Sequence, residues 1–386
     1  MYRVEIRTRF GGSFISVHDP FFDGEKLVTA KVTQGINLVD SFVFEIIPDN
    51  RGYDIIEELR TEVRVSHVET GRIFDGRVIA IDNVMASNGS FYKKVTCEGA
   101  LGLLNDSYNR QARRNITLQA HVEDTLARHN ISMSGSPVLP WSYTRPFGMS
   151  HINDGERLEY VYRGVSTLDV IFDFVDQFGG EIRVNRGSSS WILDYREDPV
   201  IVANQTIELA KNLKSIKQTV DTSDFFTRLI PLGHVTNNSD GIAWRLRLSN
   251  SISDDFIDDP AAIAEFGVIE KEHIFDEATS VSRLRRAGDD YIRAHRNSRV
   301  QYQIDAVDLA TLGIESHDIR LGRHYRVINR VMGIDEQLRV VKHSIDLIDP
   351  RKNKIFVGDI IRTLSQNVSR MRNVSRDIRE LQNIVR

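Results

Sequence analysis

Residues 62–82 read EVRVSHVETGRIFDGRVIAID, and residues 324–346 read HYRVINRVMGIDEQLRVVKHSID. Each is an alternating strand, a glycine-containing turn and a second strand carrying Arg-Val, at Arg77-Val78 and at Arg339-Val340. Alternation of apolar with polar residues places successive side chains on opposite faces of a sheet, so both stretches predict β-hairpins. The same pattern toward both ends of the chain points to two similar barrel-like β units.

Outward from the first hairpin, short β-type runs extend from Tyr2 to Thr8, Phe14 to His18, Leu27 to Thr33, Ser41 to Ile47 and Tyr92 to Cys97. Gly and Asp/Pro signals separate them. Strands at this spacing, nearly without helix, predict a small barrel or sandwich over residues 1–100.

Over residues 101–203 the period changes. Thr117 is placed to cap a helix carrying Leu118, Val122 and Leu126 on one face. Pro137, Pro140 and Pro146 around Trp141 predict a long surface loop. Ser166 opens a second helix with the stripe Leu168, Ile171, Phe172, Val175 and Phe178, closed by Gly179-Gly180. A hairpin from Glu181 to Asn185 and Trp191 to Tyr195 completes an α+β middle domain. Residues 204–358 return to strands around a helix from Ser280 to His295, predicting a second β-rich unit with a helical insertion.

Residues 359–386 differ in composition. Their isolated apolar residues are Ile361, Leu364, Val368, Met371, Val374, Ile378, Leu381 and Val385, at spacings of 3, 4, 3, 3, 4, 3 and 4. That is a heptad seam with one three-residue slip, and it predicts a C-terminal coiled-coil helix through which copies associate. The β-branched seam residues favour two or three strands without choosing between them. The competing reading is an amphipathic helix packed on its own domain.

The chain has 386 residues, with 50 basic and 54 acidic side chains and a formal charge of −4. This balance gives no electrostatic footprint for nucleic acid, and no sequence-specific binding to it is expected. The single cysteine, Cys97, excludes an internal disulfide framework and a CxxC metal site. MYRVEIRTRF at the N-terminus alternates as a strand, not as a signal peptide, and no apolar run reaches membrane-spanning length.

Chemistry-bearing motifs are sparse. No GxSxG, HExxH, Walker or EF-hand pattern occurs. His121-Val122-Glu123 matches half of a zinc-deaminase signature, but its PCxxC half needs two cysteines. Asp254, Asp255, Asp258 and Asp259 offer hard oxygen ligands to calcium without the ligand spacing or turn glycine, so a solvated acidic loop is the simpler expectation. His317 and His324 lack a third ligand, and Trp141, Trp191 and Trp244 lack basic interleaving. No catalytic, cofactor-binding or metal-ligating residue is expected.

Five segments carry a resemblance: DSFVFEIIPDNRGYDII (40–56), VTCEGALGLLND (95–106), NLKSIKQTVDTSDFFTRLIPLG (212–233), FGVIEKE (266–272) and DLIDPRKNKIFVGD (346–359). In this order they resemble the prophage endopeptidase-tail family, the N-terminal region of tail-associated lysins. The resemblance implies a fold similar to the hub of a phage baseplate. Two barrel-like tube domains per chain then form, in a homotrimer, a pseudo-sixfold ring that continues or closes a hexameric tail tube. It also implies a virion protein of the tail tip, assembled in the host cytoplasm and acting in host attachment and DNA delivery. Its implied partners are the distal tail protein, tail-tube and tape-measure proteins, and receptor-binding proteins. In longer members lytic or fibre modules follow. Here only the predicted coiled coil follows Asp359, which implies a short structural member or a piece of a longer one. Two other readings compete: a peptidoglycan endopeptidase, and a module that binds host-wall carbohydrate through Trp141 or Trp191.

Overall fold

The computed structural model describes residues 1–8, 12–22, 25–110, 112–135, 141–143, 158–162, 164–187, 190–196, 201–208, 213–222, 224–237, 243–275, 278–295, 299–306 and 319–358. The predicted coiled coil, Ile361 to Val385, lies outside them, as does His317.

The chain opens with β1 (Tyr2–Thr8), β2 (Ile15–His18), β3 (Thr29–Gly35), β4 (Ser41–Ile46), β5 (Thr61–His67), β6 (Gly71–Met85) and β7 (Phe91–Gly99). Their alternation is that of strands with one face in a core. In β4, Phe42, Phe44 and Ile46 are fully buried while Ser41, Val43 and Glu45 between them are not.

A 3-10 turn over Ala100–Asp106 leads into β8 (Tyr108–Asn109), β9 (Ala112–Ile116), α1 (Leu118–Ser132), β10 (Trp141–Tyr143), β11 (Leu158–Val161), β12 (Val165–Ser166), α2 (Thr167–Phe178), β13 (Glu181–Arg186) and β14 (Trp191–Arg196). Both helix starts are those the sequence predicts. The Thr117 hydroxyl accepts the Ala120 amide at 3.2 Å, and the Ser166 hydroxyl accepts that of Asp169 at 3.0 Å. Gly179 closes α2 with a φ of 71°. Trp141, expected in a loop, stands in β10, which pairs in parallel with β14; the prolines had masked a three-residue strand.

Strands resume with β15 (Ile201–Glu208) and β16 (Leu213–Asp221). An insertion follows: β17 (Arg228–Leu232), β18 (Val235–Asn237), β19 (Ala243–Arg245), β20 (Ile257–Asp258), α3 (Pro260–Phe266), β21 (Glu270–Ile274) and α4 (Val281–His295). The chain then returns through β22 (Arg299–Ala306), β23 (Arg323–Asn329), β24 (Ile334–Asp346) and β25 (Lys354–Gly358). The short helix α3 is unpredicted. Asp259 caps it through its carboxylate, with Pro260 in its first turn.

The protein is mainly β. A thirteen-stranded sheet runs β16-β22-β25-β24-β3-β4-β7-β6-β5-β1-β2, with β23 and then β15 branching from β24. The expected pair of separate barrels is not what forms. Among the described residues no ring of paired strands closes, because the outer edge of β3 is taken by β24 of the other half. Lys342 lies opposite Gly35 and Asp346 opposite Lys31. The Ile36 amide donates to the Val341 carbonyl at 3.0 Å and the Leu347 amide to that of Ala30 at 2.8 Å, so both ends of the joint are closed. Ile345 and Leu347 accordingly bury themselves in the core of the first half.

The two halves nonetheless repeat one path. The first reads β3-β4-β7-β6-β5-β1 across the sheet and the second β16-β22-β25-β24-β23-β15, with the strands in the same chain order. Registers agree. Val78 faces Cys97 and Phe42 faces Cys97 in the first half; Val340 faces Val357 and Tyr302 faces Val357 in the second. Both long strands break register just after those valines, between Val78 and Ala80 and between Val340 and Lys342. One departure is that β1 pairs antiparallel with β5, whereas β15 runs parallel to β23. Among the described residues four apolar cores form: one under each half, one in the middle region around Leu126, Phe174 and Tyr195, and one in the insertion around Phe226, Leu229 and Leu284.

Candidate assembly surface

Ion pairs fix the middle region to both halves. Arg77 donates to both oxygens of Asp106 at 2.6 and 2.7 Å and to Glu98 at 2.7 Å. Burial works against its charge, yet the two carboxylates hold its pKa above the ordinary value. Arg339 occupies the same place in the second half and pairs with Glu181 of β13. Burial lowers the Arg339 pKa to about 10. Asp75 gathers Arg186 at 3.0 Å, Arg72 at 3.1 Å and Arg64 at 3.5 Å, the first of these from β13. Burial raises the pKa of Asp75 despite them. Beside the joint, Asn37 donates to the Gly180 carbonyl at 3.0 Å and accepts the Ile182 amide at 2.9 Å.

The residues singled out from the sequence are scattered among structural tasks. Asp255 is buried and accepts from Arg247 and from the amides of Leu248 and Ser249, at 3.0 and 3.3 Å for the amides. Asp258 pairs with Arg228 at 2.7 Å, and Asp259 caps α3. Asp254 is exposed, as a solvated loop would have it, but the other three brace the insertion, and the four do not converge into an oxygen cage. His121 is fully buried against Phe174 and bonded to the Tyr162 hydroxyl at 2.8 Å, while Glu123 accepts from Gln119. Burial pushes the pKa of His121 down to about 4. His324 stands on β23 opposite Arg339. Trp191 is buried in the middle core with the Arg186 guanidinium 5.2 Å from its ring, and Trp244 is exposed on β19.

One pair escapes sequence reading because its members are 22 residues apart: Ser107 Oγ lies 2.7 Å from His129 Nδ1. A serine on a histidine is the beginning of a nucleophile and base. Here, however, the hydroxyl also meets Thr167 Oγ1 at 2.7 Å, and both members are buried between α1 and α2, at 4% and 2% exposure. Burial holds the His129 pKa near 4. The pair belongs to a buried, hydrogen-bonded core network. Among the described residues no group of three or more His, Cys, Asp or Glu side chains is placed to hold a metal ion, and no helix is long and apolar enough to cross a membrane.

What the surface does present is unpaired backbone. Among the described residues β6 beyond its bulge pairs with β7 on one side only, and β16 pairs only with β22. Ile79, Ala80, Asp82, Asn83 and Met85 are exposed on the first edge, and Lys217, Gln218, Thr219 and Val220 on the second. Long open edges are a template for adding another strand, so a chain that keeps two has a use for them or a means to cover them.

The fold is that of several solved tail proteins of phages and prophages. A 43 kDa tail protein of prophage MuSo2 from Shewanella oneidensis superposes with a TM-score of 0.59 at 11% identity, over 93% of this chain and 98% of that one. The prophage tail protein gp18 of Listeria monocytogenes EGD-e does so with 0.57 at 14% identity, over 97% and 99%. A tail protein of Neisseria meningitidis MC58 gives 0.60 at 12% identity, over 93% and 96%. Residues 202–368 match the family described as prophage endopeptidase tail, in agreement with the resemblance carried by the five segments. No curated protein matches the sequence.

Proposed function

We propose that the chain is a structural hub of a phage tail tip or baseplate, three copies of which form a ring that continues or closes the tail tube. The observation that carries this reading is the repeated strand path. Two like halves in one chain make six like halves in a trimer, which matches a hexameric tube. In this reading residues 1–100 and 204–358 are the two tube-like units, residues 101–203 the outer or tip-facing middle domain, and residues 359–386 a coiled coil on the ring axis. Ile361, Leu364, Val368, Met371, Val374, Ile378, Leu381 and Val385 form its seam. The hub meets the tail-tube, tape-measure and distal tail proteins, supports receptor-binding proteins, and takes part in host attachment and DNA delivery from the virion.

A role without catalysis is supported by where the polar groups are spent. The Ser107–His129 pair is core, and the acidic run caps and braces its own insertion. Light scattering of the full chain over a range of concentrations tests the reading. A mass of three chains is expected; a persistent dimer or monomer would overturn ring closure by this chain alone.

A further inference from the structure

We infer that β16 of one copy adds, antiparallel, to the open half of β6 in the next copy, repeating between chains the β3·β24 joint that is made within each chain. The inference rests on the ring reading above and names the strands, and the register, through which the ring closes.

The argument is one of equivalence. In the repeated path β24 corresponds to β6, and β3 corresponds to β16. Within the chain, the part of β24 beyond its bulge takes β3 on the edge that β23 leaves free. The same part of β6, beyond the same bulge and past the end of β5, has nothing on that edge among the described residues. β3 has β4 on one side and β24 on the other, whereas among the described residues β16 has β22 alone. Among the described residues the molecule therefore carries one filled joint and the two open halves of a second.

Burial records the difference. His343, Ser344 and Ile345, covered by β3, are buried; their equivalents on β6 are not, Ile81 being half-buried and Asp82 and Asn83 exposed. On the complementary side, Val32 of β3 is buried while its equivalent Gln218 of β16 is exposed, and Ala30 is buried while its equivalent Ile216 is half-buried. An exposed isoleucine, Ile79 at 39%, sits where Val341 is buried at 4%. These are the properties of an edge that is covered in the assembly and bare in the single chain.

The register follows from the paired strands. The shared bulges set Val78 with Val340, hence Ala80 with Lys342 and Asp82 with Ser344. Val32 faces Phe42 as Gln218 faces Tyr302, hence Thr33 with Thr219. Ser344 lies opposite Thr33 in the filled joint, so Asp82 lies opposite Thr219 of the next copy, Asn83 opposite its Gln218 and Ile81 opposite its Val220. The filled joint is closed by the Val341 carbonyl and the Leu347 amide, so odd residues of β24 exchange its hydrogen bonds and Ser344–Thr33 is a non-hydrogen-bonded pair. Such pairs bring side chains closest, with Cα atoms about 4.5 Å apart, which suits a disulfide.

The test is the full chain with Asp82→Cys and Thr219→Cys together; the native Cys97 is fully buried and does not compete. Mild oxidation is expected to give a covalent ladder on a non-reducing gel that ends at the trimer. The pair Asp82→Cys with Ser215→Cys, four residues out of register, is expected to cross-link at least tenfold less. Asn83→Pro, which removes an amide aimed at the open edge, is expected to turn the oligomer into folded monomer. A trimer by light scattering that does not cross-link at Asp82 and Thr219 overturns this joint and leaves the ring standing. A chain that stays monomeric and unlinked at every concentration overturns both. Equal cross-linking of the two pairs overturns the register.

Discussion

Leu59 and Gly322 hold one place in the two halves of the chain: the Leu59 amide donates to the Val78 carbonyl and the Gly322 amide to the Val340 carbonyl, each at 2.8 Å. Each residue precedes the first strand of its hairpin, and each has a left-handed backbone, with φ of 60° and 80°. This conformation is free to glycine and costs a branched residue about 1–2 kcal/mol. The two sites should therefore answer oppositely. Leu59 is 52% exposed, so Leu59→Gly loses little packing and is expected to leave stability unchanged or raise it by about 0.5 kcal/mol. At Gly322 the positive φ itself strains any side chain, while the Arg183 guanidinium 2.6 Å from an added Cβ can swing aside, so Gly322→Ala is expected to cost about 1–2 kcal/mol. Urea unfolding of the two variants checks this; equal effects would deny the equivalence.

Arg77 and Arg339 are likewise equivalent, but their partners are buried to different depths. The Glu181 side chain is 3% exposed, against 17% for Glu98 and 29% for Asp106. Removing an arginine leaves its carboxylate unpaired, and the cost grows with burial. Arg339→Met is expected to lose about 3 kcal/mol and Arg77→Met about 2 kcal/mol. Adding Glu181→Gln to Arg339→Met is expected to recover part of the loss, because the stranded charge is gone. Denaturant midpoints of the three variants decide it, and no recovery in the double variant would mean that Arg339 acts through packing alone.

The repeat was legible in the sequence as two hairpins, since alternation and turn glycines are local signals and Arg77-Val78 and Arg339-Val340 stand in matching positions. The helix caps Thr117 and Ser166 were legible for the same reason. The β3·β24 joint was not. It depends on Lys31–Gly35 meeting Lys342–Asp346 across some three hundred residues, and no local pattern states which edge a strand will choose. The duties of Asp255, Asp258 and Asp259 escaped too, because a carboxylate in a run looks alike whether it caps a helix or faces water. Ser107 and His129 meet only because α1 and α2 pack together.

Two groups beside the joint give opposite responses to pH. His343 is buried in β24, which pushes its pKa from 6.5 down to about 4. The unfolded chain takes up that proton first, so the contribution of His343 is full above about pH 6.5 and is lost as the pH falls toward 4. The span is on the order of 3 kcal/mol. Asp40, packed against Gln34 and Gly35 with its rim still reached by water, has its pKa raised from 3.8 to about 7 by burial. Its contribution is full below about pH 4 and is lost as the pH rises through 7. His343→Gln should therefore flatten the loss of stability between pH 6.5 and 4, and Asp40→Asn should gain stability above pH 7 but not below 4. Unfolding midpoints from pH 4 to 8 check both, and a variant whose curve runs parallel to the native one removes that residue from the account.

The proposed axis is tested by charge. A coiled-coil seam excludes water on assembly, and an aspartate placed in it must either stay solvated, which parts the helices, or be buried unpaired. Leu364, Ile378 and Leu381 lie in the predicted seam, outside the described residues. Replacing the three with Asp is therefore expected to weaken the oligomer at least tenfold in concentration while the thermal unfolding of the β halves stays put. Light scattering and circular dichroism on the same samples separate the outcomes. Unfolding of the sheet along with the loss of assembly would mean that this stripe packs on its own chain, and the joint between Asp82 and Thr219 would then have to hold the ring alone.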